Sequence, residues 1–192
     1  HGQYIMGPEI GELEEELAQY VGTRYAVGVG SGTDALLIAL MALGVGAGDA
    51  VITTPFTFIA TAEVIKLLGA TPVFVDIKPD TFNIDPEKIE ETIHKSPSEA
   101  LKIKGIVPVD LFGQPADYEE INSIAKKYDW FVLQDAAQSF GASYKGKKAC
   151  SNAEVAATSF FPAKPLGCYG DGGMIFTNNS ELYEKFISIR IH

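Results

Sequence analysis

A single lysine, Lys164, lies between two prolines in the segment FFPAKPLGCYGDGG (residues 160–173), most of which is apolar or glycine. Pro165 disfavours a helical backbone at Lys164, and Pro162 has no amide hydrogen, so an irregular connection between strands is predicted. A connection this apolar is expected to be buried. An amine taken out of water loses its proton more easily and can form a Schiff base with an aldehyde. The alternative is a structural lysine whose stem lies on the core while its amine reaches water.

A glycine-rich turn leads from a predicted strand into a predicted helix in VGVGSGTDALLIAL (residues 27–40). The amides of Gly32, Thr33 and Asp34 would lie at the start of this helix, where N–H groups without an intrahelical acceptor bind anions. The turn can therefore hold a phosphate. Its glycines follow neither the dinucleotide-binding pattern nor the P-loop pattern. The alternative is an ordinary tight turn before a helix capped by Ser31 or Thr33.

An aspartate and a glutamine follow a buried strand in WFVLQDAAQSFGA (residues 130–142). Asp135 comes directly after the strand, and ligands of open α/β folds bind at that edge of the sheet. Gln138 points to the same side if the segment turns helically. Asp135 is thus placed to meet a ligand, or else it only caps the next segment.

Two aromatic side chains, Phe56 and Phe58, follow another predicted strand in TTPFTFIATAEV (residues 53–64). Either ring could cover a flat ligand, or both could belong to the core. Pyridoxal 5′-phosphate (PLP) would use all four features, because it needs an anion site, a lysine for its aldehyde, an acid for its pyridine nitrogen and an apolar cover for its ring. Together the four patterns predict a PLP site.

Alternating strands and helices must position these residues. Most strand candidates are short apolar runs without polar alternation, which is typical of strands covered on both faces. The predicted strands span residues 25–30, 50–55, 71–77, 105–113, 130–135, 158–162 and 172–178. The predicted helices span residues 8–22, 33–44, 57–69, 85–95, 117–128 and 180–192. This order predicts a doubly wound α/β fold with a mainly parallel sheet and helices on both faces.

The composition narrows the class of protein. The 192 residues are 46% hydrophobic, which suits one domain with one sizeable core. Lys and Arg total 15 against 25 Asp and Glu, and a net charge of −10 disfavours nucleic acid as a partner. No apolar run is long enough to span a membrane, and no signal-peptide pattern is present, so a cytoplasmic protein is expected. Cys150 and Cys168 lack the spacing of a metal site and are expected to be free thiols.

The same segments resemble blocks of the DegT/DnrJ/EryC1/StrS family of sugar aminotransferases, which are fold type I PLP enzymes. The matching blocks are SGTDAL, PFTFIATAE, GATPVFVDI, FGQPAD, DAAQSFGA, SFFPAKPLGCYGDGG and FTNN. Their order and spacing agree over nearly the whole chain. QYIMGPEI and FFPAKPLGCYGDGG are most similar to the branch that aminates C3 of a UDP-linked 2-acetamido-2-deoxy-3-keto-hexuronic acid.

The resemblance implies a role for each candidate residue. Lys164 would form the Schiff base with PLP, and Asp135 would pair with the pyridinium nitrogen. Five further cofactor contacts are implied: Gln138 at the ring hydroxyl, Phe58 on the ring face, and Gly32, Thr33 and Ser159 at the phosphate. No metal ion is implied. Asp110 stands where histidine is common in some branches, so the resemblance assigns it no role.

The resemblance also implies a reaction and its partners. An amino group would pass from glutamate, through the pyridoxamine phosphate (PMP) form of the cofactor, to a nucleotide-linked keto sugar used for cell-surface polysaccharides. A homodimer with a shared active site is implied. Family members are longer, so residues 1–192 are expected to be the PLP-binding large domain without its N-terminal segment and its C-terminal small domain.

Two alternatives to the aminotransferase remain at the level of the sequence. One is a PMP-dependent sugar dehydratase of the same family, although those members have histidine where this chain has Lys164. The other is a non-catalytic regulatory or sensor domain that keeps the fold.

Overall fold

The computed structural model describes residue 2 and residues 5–95 and 102–191. Within them lie nine strands, six helices and one 3₁₀ turn. The strands are β1 (Tyr25–Val29), β2 (Asp49–Thr53), β3 (Thr71–Phe74), β4 (Lys102–Ile106), β5 (Phe131–Asp135), β6 (Ser143–Tyr144), β7 (Lys147–Lys148), β8 (Val155–Ser159) and β9 (Gly173–Thr177). The helices are α1 (Pro8–Val21), α2 (Gly32–Ala42), α3 (Ala60–Leu67), α4 (Pro86–Lys95), α5 (Tyr118–Tyr128) and α6 (Ser180–Ile191), and the 3₁₀ turn is Leu111–Gly113.

Seven strands form one sheet in the order β1-β9-β8-β5-β4-β2-β3. β9 runs antiparallel to both β1 and β8, and the remaining neighbours are parallel. The predicted fold class, α/β with a mainly parallel seven-stranded sheet, is therefore confirmed. The carboxyl ends of β1, β2, β4, β5 and β8 and the amino end of β9 meet at one edge of the sheet, which is the edge where ligands of such sheets bind.

The core lies on both faces of the sheet because successive residues of a strand point to opposite sides. In β5, Leu133 belongs to the cluster formed with α2, α3 and α6, whereas Val132 belongs to the cluster formed with α4 and α5. In β9, Met174 and Phe176 pack in a third cluster with α1. Helices thus cover both faces of the sheet, as the continuous apolar runs of its strands predict.

The strand predicted at residues 158–162 is displaced. β8 begins at Val155 and ends at Ser159, so the two phenylalanines that follow Ser159 lie in a connection. The prediction missed residues 155–157 at the start of this strand. They include Ala156 and Ala157, which are fully buried between β5 and β9. Alanine is depleted in strands, and only close packing in the middle of the sheet favours it here.

The strand predicted at residues 105–113 is wrong in its second half. β4 ends at Ile106, ahead of Pro108, which has no amide hydrogen for the ladder. The chain then turns at Leu111–Gly113. The other five predicted strands are found, with ends shifted by at most about three residues, as is usual for strand boundaries read from sequence.

The described residues, 2, 5–95 and 102–191, contain neither a membrane-spanning helix nor a metal cluster. None of their helices combines the length and apolar composition needed to cross a membrane. They contain no group of three or more His, Cys, Asp or Glu side chains arranged to hold a metal ion. Cys150 and Cys168 are free thiols. His192, the predicted end of the last helix, lies outside the described residues.

Candidate active site

A cavity of about 510 Å³ opens at the carboxyl edge of the sheet, within the range of roughly 300–1,000 Å³ found for small-molecule sites. All seven cofactor residues expected from the sequence line it, namely Gly32, Thr33, Phe58, Asp135, Gln138, Ser159 and Lys164. These residues come from five separate parts of the chain. The fold therefore assembles the whole predicted set at one place.

Lys164 lies in the connection between β8 and β9, which has no helix or strand, as predicted. Its amide donates to the carbonyl of Phe161 at 2.8 Å, so the chain turns tightly at the lysine. The expectation that this connection is buried is wrong: Phe161 is 51% exposed, Leu166 is 38% exposed and Tyr169 is fully exposed. An apolar composition predicts that a segment is covered, yet residues 5–95 and 102–191 leave these three side chains open, although Phe160 at the start of the segment is buried.

Asp135 is the last residue of β5 and is almost completely buried. Its Oδ2 accepts a hydrogen bond from the Thr61 hydroxyl at 2.8 Å, and its Oδ1 accepts one from the Ala137 amide at 3.2 Å. Burial raises the pKa of the Asp135 carboxyl, whereas both hydrogen bonds and the nearby charge of Lys164 act to lower it. Each oxygen retains acceptor capacity for a ligand N–H.

The contact from Thr61 was not predicted from the sequence. Thr61 lies on α3, 74 residues before its partner Asp135, and a lone threonine in an apolar helix gives no local signal of such a pairing. The hydroxyl of Thr57, which lines the cavity, lies 3.2 Å from that of Thr61. A short chain of hydroxyl groups therefore leads from the cavity wall to the carboxylate.

The start of α2 forms an anion cradle. Ser31, one of the two caps considered, accepts from the Asp34 amide at 3.0 Å, and the first helical hydrogen bond runs from Ala35 to the Ser31 carbonyl. The amides of Gly32 and Thr33 thus precede the first helical bond, and both residues line the cavity. A Cβ added to Gly32 would lie 2.5 Å from the Cβ of Ser159, so only glycine allows β8 to approach this closely.

Ser159 completes the cradle from the end of β8. Its hydroxyl oxygen accepts from the Phe161 amide at 3.2 Å, which leaves the hydroxyl hydrogen to donate elsewhere. Two backbone amides and one hydroxyl can therefore converge on a single anion.

Gln138 and Phe58 both line the cavity. The side-chain oxygen of Gln138 accepts from the Phe112 amide at 2.8 Å, so its NH₂ group is the part left to donate. Phe58 is 66% exposed and lines the cavity. Phe56, the other aromatic candidate, instead packs against Phe82 and Phe112, with ring centroids 5.7 and 6.3 Å apart. The structure thus separates the two phenylalanines.

Asp110 is fully buried just beyond β4. Its Oδ1 accepts from the Ala116 amide at 3.0 Å and the Tyr118 hydroxyl at 2.6 Å. Its Oδ2 accepts from the Gln134 amide group at 2.7 Å and the Ser139 hydroxyl at 2.6 Å. Burial raises the pKa of the Asp110 carboxyl to about 6, and the four hydrogen bonds oppose that rise.

The raised pKa of Asp110 predicts that the free energy of unfolding depends on pH. The ordinary value is 3.8, so between about pH 4 and pH 6 the folded protein keeps a proton that the unfolded chain releases. The contribution of Asp110 is therefore most favourable in acid and is lost as the pH rises through about 6. Two pKa units correspond to about 3 kcal/mol.

Between about pH 4 and pH 7, we expect the free energy of unfolding of the wild type, measured in urea, to fall by about 3 kcal/mol more than that of Asp110→Asn. Asp135 is present in both proteins, so its titration cancels in the comparison, and Tyr118 and Cys150, whose pKa values are raised, keep their protons throughout this range. Parallel stability profiles for the two proteins would contradict the prediction.

Comparison with known proteins agrees with this geometry. Residues 1–192 match the sequence profile of the DegT/DnrJ/EryC1/StrS aminotransferase family. The chain belongs to this family. The family resemblance read from the motifs is thereby confirmed.

Three known proteins are similar to this DegT/DnrJ/EryC1/StrS chain over nearly its whole length. UDP-2-acetamido-2-deoxy-3-oxo-D-glucuronate aminotransferase of Pseudomonas aeruginosa is 58% identical over 192 residues, which are all of this chain and 52% of that protein. A pleiotropic regulatory protein of Geobacillus stearothermophilus is 50% identical over 190 residues, covering 99% of this chain and 50% of that protein. The crystal structure of NtdA from Bacillus subtilis with bound cofactor PMP superposes with a TM-score of 0.88 at 39% identity, covering 97% of this chain and 40% of NtdA. The chain thus spans about half the length of these relatives.

Proposed function

We propose that this chain is the PLP-binding large domain of an aminotransferase that transfers an amino group from glutamate to C3 of a UDP-linked keto-hexuronic acid. One observation carries the proposal: Lys164, Asp135 and the anion cradle of α2 line the same cavity. The 58% identity to a UDP-keto-glucuronate aminotransferase supports the sugar class. We further propose that the product serves polysaccharide biosynthesis in the cytoplasm.

The residues of the cavity fit PLP. The amides of Gly32 and Thr33 and the hydroxyl of Ser159 suit a phosphate, because they are converging donors at a helix N-terminus. Asp135 is a buried carboxylate with acceptor capacity to spare, which suits a protonated ring nitrogen. Phe58 offers an apolar face to the ring, and the Gln138 NH₂ group suits the ring hydroxyl. PLP, when bound, supplies an electron sink for the bond broken at the Cα of the amino donor.

Two residues of the chain carry the chemistry in this proposal. The Lys164 amine would hold the cofactor through its aldehyde carbon, with loss of water, and once free again would move the proton at the donor's Cα. The Asp135 carboxylate would pair with the positive ring nitrogen, which would keep the carboxylate ionised and the proton on that nitrogen. Both act at the carboxyl edge of the sheet, where β5 and the connection after β8 bring them together.

A second subunit is part of the proposal. The connection that carries Lys164 exposes Phe161, Leu166 and Tyr169, and large exposed apolar groups beside a cavity are typical of an interaction surface. We propose that a homodimer covers this connection and shares the active site.

The direct test is amination by the complete protein. It is incubated with PLP, glutamate and a panel of UDP- and dTDP-linked keto sugars, and the products are identified by mass. An aminated UDP-keto-hexuronic acid is the expected product. Bound PLP without any aminated sugar would refute the aminotransferase.

A regulatory domain is the second candidate, because one close relative is named a pleiotropic regulatory protein. A regulator that keeps the fold has no need of a lysine and a carboxylate in one cavity, and this chain has both. The amination test decides between the two candidates.

Gly32→Ala is expected to weaken PLP binding by roughly tenfold or more, equivalent to about 1.4 kcal/mol. The added methyl would meet Ser159 at 2.5 Å and push apart the two sides of the phosphate cradle. The dissociation constant is measured by titrating the cofactor-free protein with PLP and following absorbance.

Gly46→Ala is the matched control, because a Cβ at Gly46 meets no atom within 4 Å. It should bind PLP as the wild type does. Equal affinities for Gly32→Ala and Gly46→Ala would show that the phosphate does not bind at α2.

A further inference from the structure

Asp110 contacts both ends of the segment that carries Asp135 and Gln138. Gln134, which donates to its Oδ2 at 2.7 Å, directly precedes Asp135. Ser139, which donates to the same oxygen at 2.6 Å, directly follows Gln138. The Asp110 amide also donates to the Asp135 carbonyl at 3.0 Å. Asp110, a single buried residue, therefore holds this segment at three points: Gln134, the Asp135 carbonyl and Ser139.

The turn after Asp110 also sets the side chain of Gln138. The Phe112 amide that donates to the Gln138 oxygen belongs to a residue with φ of 56°, which is uncommon for a bulky side chain. Asn83 holds this turn from the other side, since its Oδ1 accepts from the Leu111 amide at 3.3 Å and its NH₂ group donates to the Gln114 carbonyl at 3.0 Å. A strained backbone conformation that is held by several hydrogen bonds is typical of a functional site.

The four donors require an acceptor-only group at position 110. The side-chain oxygen of Gln134 accepts from the amides of Cys150 and Asn152 at 3.1 and 3.4 Å, so its NH₂ group is the end that faces Asp110. A carboxylate can accept all four hydrogen bonds, whereas an asparagine would set its own NH₂ group against one pair of donors.

We propose that Asp110 is a positioning residue for the transamination, holding Asp135 and Gln138 in the orientation in which they meet the cofactor ring. The inference rests on the proposed function and adds to it a residue outside the cavity. Asp110 acts through the segment from Gln134 to Ser139 and does not itself touch the ligand.

Asp110→Asn would disturb all four contacts at once, so it does not distinguish a positioning role from a loss of stability. Two other variants do. Ser139→Ala and Tyr118→Phe each remove one hydroxyl that donates to Asp110 at 2.6 Å, and both residues are 1% exposed. Ser139 adjoins Gln138, but Tyr118 lies on α5, away from the cavity. The two changes should lower the urea midpoint of unfolding by similar amounts.

In the complete PLP-loaded enzyme, Ser139→Ala is expected to lower kcat by roughly tenfold or more, as a displaced catalytic group does. It should also shift the absorption maximum of bound PLP, and leave KM for the amino donor within about twofold. Tyr118→Phe should leave kcat and the absorption maximum unchanged. If both variants keep the wild-type kcat and spectrum, Asp110 is structural only. A wild type that neither binds PLP nor aminates a sugar would instead refute the proposed function.

Discussion

Replacing Lys164 by alanine is expected to abolish amination of the keto sugar, with a loss of about 10⁴-fold or more in kcat. In the proposed mechanism the amine is both the nucleophile toward the cofactor aldehyde and the base that moves the Cα proton, and residues that combine two catalytic roles show losses of this size. The same change should remove the covalent link that borohydride traps between PLP and the protein. Turnover of the sugar and the mass of the reduced protein are the two measurements.

Lys66→Ala is the control for Lys164→Ala. Lys66 is an exposed lysine on α3 and does not line the cavity. This variant should keep both turnover and the trapped adduct. Normal turnover by Lys164→Ala would remove the lysine from the mechanism, whatever the cavity binds.

Replacing Asp135 by asparagine is expected to lower kcat by about 10²–10⁴-fold while leaving the borohydride-trapped adduct in place. The amide oxygen can still accept from Thr61 or Ala137, so the local structure is retained. It carries no negative charge to hold a proton on the ring nitrogen, and the ring then accepts electrons poorly. Single-turnover kinetics with glutamate, followed through cofactor absorbance, measure the step directly.

Asp129→Asn is the matched control, because Asp129 precedes the same strand, β5, at its other end. Asp129 has φ of 58°, a left-handed conformation that asparagine adopts readily. This variant should react as the wild type does. If Asp135→Asn reacted as fast as Asp129→Asn, the carboxylate would have only the capping role that the sequence left open.

The sequence predicts the fold and six of the seven cavity residues from local patterns, whereas Ser159 was implied only by the family resemblance. Apolar runs identify buried strands, and polar residues directly after such runs lie at the carboxyl edge of a parallel sheet. Lys164, Asp135 and the glycine-rich start of α2 are all of this kind. Family resemblance then assigned a role to each of them, and these roles await the tests above.

Other features depend on contacts between distant parts of the chain. The hydrogen bond from Thr61 to Asp135 spans 74 residues, and the one from Ser139 to Asp110 spans 29. Neither is visible in local spacing. The exposure of the connection around Lys164 was also misjudged, because composition indicates that an apolar segment is covered and not which surface covers it.

The position of β9 has a consequence for the order of folding during synthesis. β1 and β9 pair residue for residue although Tyr25 and its partner Thr177 are about 150 residues apart. At about 5–20 residues per second, a ribosome needs roughly 8 to 30 s to make the intervening chain. Until then β1, whose ladder partner is β9, has no strand beside it. A nascent chain that ends before Gly173 is therefore expected to lack the β1 edge of the sheet, from which the chain enters α2.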